Sequence, residues 1–279
     1  MSEQVALIAG AVGILYLSKV LSASAVPAPT GPPKLFFHIK HEGAWPNTLG
    51  KVRQIYSTIS SVNKTGLNIG VEPQCVADWA TQKSYLSECA PDIPVMLTVF
   101  SSDGVLNSEK SIDTDLIAEA MSVCPVFYLR FHEVISWYRD SGLSFPVAYV
   151  QDVLAFARAN NVPLFWNEWD YRVYSELAGY ISGYEDLVIV SFGTNCNLIE
   201  PWEGYQKLQV FQRKAASVQS WYWYTRGYGS YLQMPPTLMA QHTLEAFQAG
   251  CEIVQYEPYS YFFDNEQPYS TLQTMLAAL

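Results

Sequence analysis

Positive charge is scarce in this chain. Its 279 residues carry 16 lysines and arginines against 26 aspartates and glutamates, a formal net charge of −10. The basic residues form no cluster, which argues against a nucleic-acid partner, because phosphates would be repelled. Charge of either sign is sparse, 15% of residues against a usual share of roughly 25%. No GxGxxG follows the first apolar run and no GxxxxGK[ST] occurs anywhere, so nothing supports a nucleotide, and no cofactor is expected. A GxSxG nucleophile elbow is missing too. None of the five cysteines stands in a CxxC pair, so a zinc site of that kind is not expected. Cys75 and Cys89 bracket one helix-like segment and could pair in an exported protein, and the odd count leaves at least one thiol free.

Apolar and aromatic residues are abundant. They make up 49% and 14% of the chain, with 19 tyrosines and 8 tryptophans, enough for a large core and a ring-lined cleft. Val5 to Ser18 is a run without charge, followed by Lys19. It is short for a span of about 20 residues. Residues 1–25 therefore read as a signal peptide with an Ala23-Ser24-Ala25 cleavage site or as an anchor helix, with membrane contact through residues 5–21. Either places the protein outside the cell or on its membrane, facing out. Residues 26–33, VPAPTGPP, form a stiff proline-rich linker.

From Lys34 onward apolar runs alternate with helix-like segments. The runs are Leu35–Gly43, Gly66–Pro73, Pro94–Gly104, Pro125–Ile135, Pro163–Tyr171, Leu187–Asn195, Ser217–Gly227 and Cys251–Phe263. Between them, Asp113 is placed to cap one helix, Val147, Val150, Leu154 and Ala157 share a face of another, and Pro201 opens one that reaches about Lys214. Eight βα units over residues 34–279 predict an α/β fold, a (β/α)8 TIM barrel, preceded by the N-terminal hydrophobic helix. An open doubly wound sheet is the runner-up.

In such a barrel the site lies at the C-terminal ends of the strands. Carboxylates close most of them: Glu42, Glu72, Asp103, Glu133, Glu168 with Asp170, and Glu257. Paired carboxylates are the tools of glycoside hydrolysis, one protonating the leaving oxygen and the other attacking the sugar or activating water. Glu133 and Glu168 end neighbouring strands and form the first-choice pair, with Glu257 the competitor for either role. Lys40, Glu42, Arg130, His132, Asn167, Asp170 and Arg226 are candidates for binding substrate or tuning the acids. Trp137, Trp169, Trp223 and Tyr259 are candidate stacking platforms for sugar rings.

The stretches FHE at the fourth strand end, NEWD at the fifth and QYEPY at the eighth resemble the (β/α)8 glycoside hydrolases. The resemblance implies a barrel from Lys34 to about Leu279 and a carbohydrate substrate. The commonest clan carries Asn-Glu after strand four and Glu after strand seven. Here Asn167-Glu168 falls on strand five, and the seventh run ends in Tyr224-Thr225-Arg226. Two other readings stay open. His38, Lys40 and His41 with His132 and nearby acids suggest a metal-dependent hydrolase, although His38 and His41 point to opposite faces of one strand. A non-catalytic, glycan-binding or assembly barrel is the other.

Overall fold

The structure is a computed structural model that describes residues 31–41, 51–75, 78–106, 109–194, 201–219, 221–223, 231–257, 263–264, 267–268 and 270–279. Eight parallel strands close into a barrel in sequential order. They are β1 (Leu35–His41), β2 (Ile69–Cys75), β3 (Val95–Ser101), β4 (Val126–His132), β5 (Leu164–Glu168), β6 (Val188–Gly193), β7 (Arg213–Gln219) and β8 (Ile253–Glu257), with β8 pairing β1 to complete the ring. The α/β barrel expected from the sequence is therefore the observed fold. The segment 5–21 lies outside the described residues, among which no helix is long and apolar enough to cross a membrane.

The helices surround the barrel. They are α1 (Val52–Val62), α2 (Trp79–Ser87), α3 (Thr114–Val123), α4 (Val134–Ser141), α5 (Val147–Ala159), α6 (Tyr174–Tyr180), α7 (Pro201–Lys207), α8 (Pro236–Gln248) and α9 (Ser270–Ala278). Asp113 caps α3 by accepting from the Leu116 amide at 2.9 Å. In α5, Val150, Val153, Leu154 and Ala157 face the sheet, while Val147 at the first turn is exposed. Among the boundaries that differ from the sequence reading, three matter for the site and its wall. The strand at Pro125–Ile135 stops at His132, and Val134 opens α4. The helix expected to reach Lys214 ends at Lys207 and tightens into a 3-10 turn at Leu208–Val210. The seventh barrel strand begins at Arg213, four residues before the expected Ser217, while Trp221–Trp223 pairs with Tyr231–Gln233 in a separate ribbon.

Strand alternation sorts side chains between two cores. Outward residues such as Leu129, Phe131, Trp166, Val190 and Val218 pack under the helices. Inward residues at the bottom of the barrel form a compact apolar plug of Phe36, Met96, Tyr128, Phe165, Ile189, Ala215 and Ile253. Gly70 is required there. A Cβ on it would sit 2.4 Å from the Phe36 ring and 2.8 Å from the Pro94 carbonyl oxygen. Above this plug the inward positions turn polar, and that change makes the site.

Candidate active site in the upper barrel

Every second residue above the apolar plug is polar and points inward: His38 on β1, Glu72 and Gln74 on β2, Thr98 on β3, Arg130 and His132 on β4. The pattern continues with Asn167 on β5, Ser191 on β6, Ser217 and Gln219 on β7, and Gln255 and Glu257 on β8. All are buried. A buried charge is tolerated only when paired and hydrogen-bonded. Arg130 supplies the pairing. Its Nη1 donates to Glu72 Oε1 at 2.5 Å, and its Nη2 donates to Glu257 Oε1. Gln255 Nε2 donates to Glu72 Oε2 and to Glu257 Oε1, both at 2.9 Å, and Thr98 donates to Glu72. Gln219 Nε2 reaches Glu257 Oε2 at 3.1 Å, and Ser217 Oγ donates to Gln255 Oε1 at 2.5 Å.

Arg130 thus bridges two carboxylates rather than gripping one with both arms. Burial works against ionisation of Glu72 and Glu257, but the guanidinium outweighs it. Both carboxyls sit below the usual carboxylate range, Glu257 well below with His132 and His38 adding to the pull.

At the mouth, His132 Nε2 lies 3.5 Å from Glu133 Oε1 and 3.9 Å from Glu257 Oε1. Burial and the Arg130 charge oppose protonation of this imidazole. Glu257 and Glu133 overcome them and push its pKa up to about 9. Such a histidine stabilises the fold fully below its ordinary value of 6.5, and that contribution is lost as pH rises through about 9. The thermal midpoint of the protein is therefore expected to fall across this window, and His132→Gln is expected to flatten that limb. A wild-type midpoint that is level from pH 6.5 to 9 would contradict the assignment.

Glu133 is set apart from the buried network. Its backbone is left-handed, φ 57°, ψ 30°, a conformation that costs a non-glycine residue about 1–3 kcal/mol and recurs at functional sites. Its side chain is 21% exposed, against 5% for Glu257. Glu133 therefore meets solvent at the rim, while Glu257 lies beneath it on the opposite wall. Both carboxylates approach the same imidazole nitrogen, so their near oxygens are less than 8 Å apart by geometry, compatible with the separations of about 5–9.5 Å that glycosidase pairs use.

Glu168, expected to pair with Glu133, does not face the cleft. Asn167 takes the inward position on β5, so Glu168 points outward beneath α4. It is fully buried and accepts from the Ile135 amide at 2.9 Å, the Ser136 amide at 3.1 Å, the Ser136 hydroxyl at 2.6 Å and Trp166 Nε1 at 3.0 Å. Burial raises its pKa to about 7 against the pull of these donors. Asp170 is also withdrawn, latched by Arg139 at 2.6 Å and Arg172 at 2.7 Å.

Asn167 does face the interior, and both atoms of its amide have no partner among the described residues. The same holds for Ser191 Oγ, Gln219 Oε1 and Arg130 Nε. Unpaired buried polar atoms cost about 1–3 kcal/mol each. They sit on the adjoining strands β4 to β7 of the upper barrel.

Trp137 and Trp169 are half-buried near the mouth, and Lys110 Nζ lies 4.7 Å over the Trp137 ring. Lys40 and Trp223 lie on described strands, but their side chains fall outside the described residues, as do Glu42, Arg226 and Tyr259 altogether. Cys89, Cys124 and Cys251 are buried free thiols, so Cys89 does not pair with Cys75.

His38, Glu72 and Glu257 offer ligand atoms within 4.8 Å of one another, the spacing of a metal site. The Arg130 guanidinium already bridges the two carboxylates of that trio, so a divalent ion would have to displace a buried cation. The residues present do not fit a resident metal.

Neither a protein-family model nor a curated protein sequence matches the chain. Solved structures do. The catalytic module of a family 98 glycoside hydrolase from Streptococcus pneumoniae TIGR4, in complex with the H-disaccharide blood group antigen, superposes with a TM-score of 0.60 at 14% identity. The match covers 86% of this chain and 49% of that one. The native form of that module gives 0.59 at 13% identity. Dihydropteroate synthase from Stenotrophomonas maltophilia superposes with a TM-score of 0.54 at 9% identity, covering 89% of this chain and 91% of that one. The chain thus spans about half the length of the glycoside hydrolase modules it matches, and neighbours of different chemistry share its architecture. At these identities the likeness establishes the fold alone: the chain is a (β/α)8 barrel.

Proposed function

We propose that this barrel is a glycoside hydrolase acting at the C-terminal mouth of its strands, with Glu257 and Glu133 as the working carboxylates on either side of His132. One observation carries the reading: a buried, ionised carboxylate and a rim carboxylate both approach the same imidazole nitrogen, at 3.9 and 3.5 Å. Arg130 and His38 hold Glu257 as an anion, the form needed to attack an anomeric carbon or to take a proton from water. Glu133, partly exposed at the rim, is placed to donate to the leaving oxygen. His132 keeps a proton beside it at neutral pH. The unpaired groups of Asn167, Ser191 and Gln219 match sugar hydroxyls, which both donate and accept, and Trp137 and Trp169 offer ring faces to sugar CH groups.

A panel of neutral oligo- and polysaccharides tests the reading through release of new reducing ends. Wild type is expected to cleave at least one member and Glu133→Gln to lose that activity. Binding to a glycan with no cleavage anywhere in the panel would instead favour the non-catalytic barrel, for which the neutralisation of Glu257 by Arg130 is the specific argument. The reading also carries an outward-facing location, with segment 5–21 as leader or anchor. Recovery of the full-length protein entirely inside cells of a secreting host would count against that part.

A further inference from the structure

The residue at a helix N-cap usually turns its own side chain back to bond the amides of the second and third helical residues. Glu133 occupies the N-cap of α4 and makes no such bond. Those two amides, Ile135 and Ser136, are taken by Glu168 from the neighbouring strand, at 2.9 and 3.1 Å, with the Ser136 hydroxyl added at 2.6 Å. The substitution has a geometric consequence. Glu168 approaches from outside the barrel, so α4 is held against the outer face of β5. The Glu133 backbone bridges the two layers: its amide donates to the Asn167 carbonyl at 2.7 Å, and its own carbonyl accepts from Trp137 at 3.1 Å. A glutamate with a left-handed backbone, relieved of capping, is left with its carboxylate 3.5 Å from His132.

We infer that Glu168 is a positioning residue, which caps α4 in place of Glu133 and thereby fixes the Glu133 carboxylate at the barrel mouth. The inference rests on the role proposed for Glu133, but its physical content does not need turnover. When Glu168 no longer accepts two amides and a hydroxyl, Glu133, itself the N-cap residue, is placed to cap the helix, and it does so by leaving His132. The groups facing His132 are Glu133, Glu257, Arg130 and Ser101. Of these, Glu133 is the one next to α4.

The test is a histidine-labelled NMR titration of wild type, Glu133→Gln and Glu168→Gln, tractable because the chain holds only 4 histidines. Glu133→Gln is expected to lower the His132 midpoint by about one unit, the usual effect of losing an adjacent opposite charge. Glu168→Gln is expected to lower it in the same direction, with shifts of the Ile135 and Ser136 amides. Ser136→Ala, which removes one of the four donors, gives a smaller change of the same sign and serves if Glu168→Gln does not fold. On a cleaved glycan, Glu168→Gln is expected to lower kcat at least tenfold with KM little changed. A His132 midpoint unchanged in Glu168→Gln, or in Ser136→Ala where that variant stands in, but lowered in Glu133→Gln would overturn the inference. Failure of all variants and wild type to cleave any glycan, with the midpoint lowered as expected, would sink the hydrolase reading and leave the positioning role intact.

Discussion

Replacing Arg130 with methionine is expected to destabilise the barrel by about 3–5 kcal/mol, the usual consequence of leaving buried charge without its partner. That is a large share of a typical total stability of about 5–15 kcal/mol. The arginine is fully buried and is the only residue bonded directly to both Glu72 and Glu257 with a fixed positive charge among the described residues. Removing it strands two carboxylates in the interior. Their pKa values then rise, and the sign of the pH dependence follows. In wild type, carboxyls held below their ordinary value of 4.5 contribute stability that is present above that pH and is lost as pH falls through the folded value. In Arg130→Met the deficit is therefore greatest at neutral pH and shrinks in acid, where both groups can go neutral. Denaturant unfolding at pH 7 and pH 4 checks this. The triple variant Glu72→Gln, Arg130→Met, Glu257→Gln is expected to be more stable than Arg130→Met alone, because its buried groups are uncharged. A single-variant loss below 1 kcal/mol at pH 7 would show that the network is not closed as described.

The second large effect concerns chemistry. Glu257→Gln is nearly isosteric and keeps a partner for Gln219. It removes the anion that Arg130, His38 and His132 jointly sustain. Turnover is expected to fall by about 100-fold or more, the range set by loss of an acid, base or nucleophile. Glu257→Gln is also expected to lower the His132 midpoint, since Glu257 is the first of the two carboxylates that raise it. Loss of activity without that shift would mean that the variant acts through substrate binding rather than through the charge cluster.

Much of this was written plainly in the sequence. The strand cores are near-continuous apolar runs, and carboxylates gather at one end, so the barrel and the face of the site were both legible. The seventh strand is hard to read from sequence for a physical reason. RKAASVQ carries two charges and small residues, while the aromatic run that follows looks more strand-like. Yet Arg213 is satisfied by Glu252 at 2.8 Å, and Ala215 fits the apolar plug at the bottom of the barrel. The aromatic run is indeed extended, but it pairs in its own ribbon. Strand parity decides where Glu168 points. Asn167 and Glu168 are adjacent in sequence, so only one can face inward, and the apolar Phe165 two residues before Asn167 already marks the inward register. The signal that would have found Gln255, Ser217 and Gln219 was also present. Glu72-x-Gln74, Arg130-x-His132, Ser217-x-Gln219 and Gln255-x-Glu257 repeat polar residues at a period of two within apolar strands. That period places them on the barrel interior. What no sequence reading supplies is the helix α4 that begins one residue after the strand-end His132 and Glu133, because its cap comes from the neighbouring strand.

The most direct test of the account compares turnover of one cleaved glycan by wild type, Glu133→Gln and Glu257→Gln, each shown to be folded by its unfolding transition. Both variants are expected to lose about 100-fold or more in kcat/KM. If either one hydrolyses the glycan at the wild-type rate, the pair that flanks His132 is not the catalytic pair.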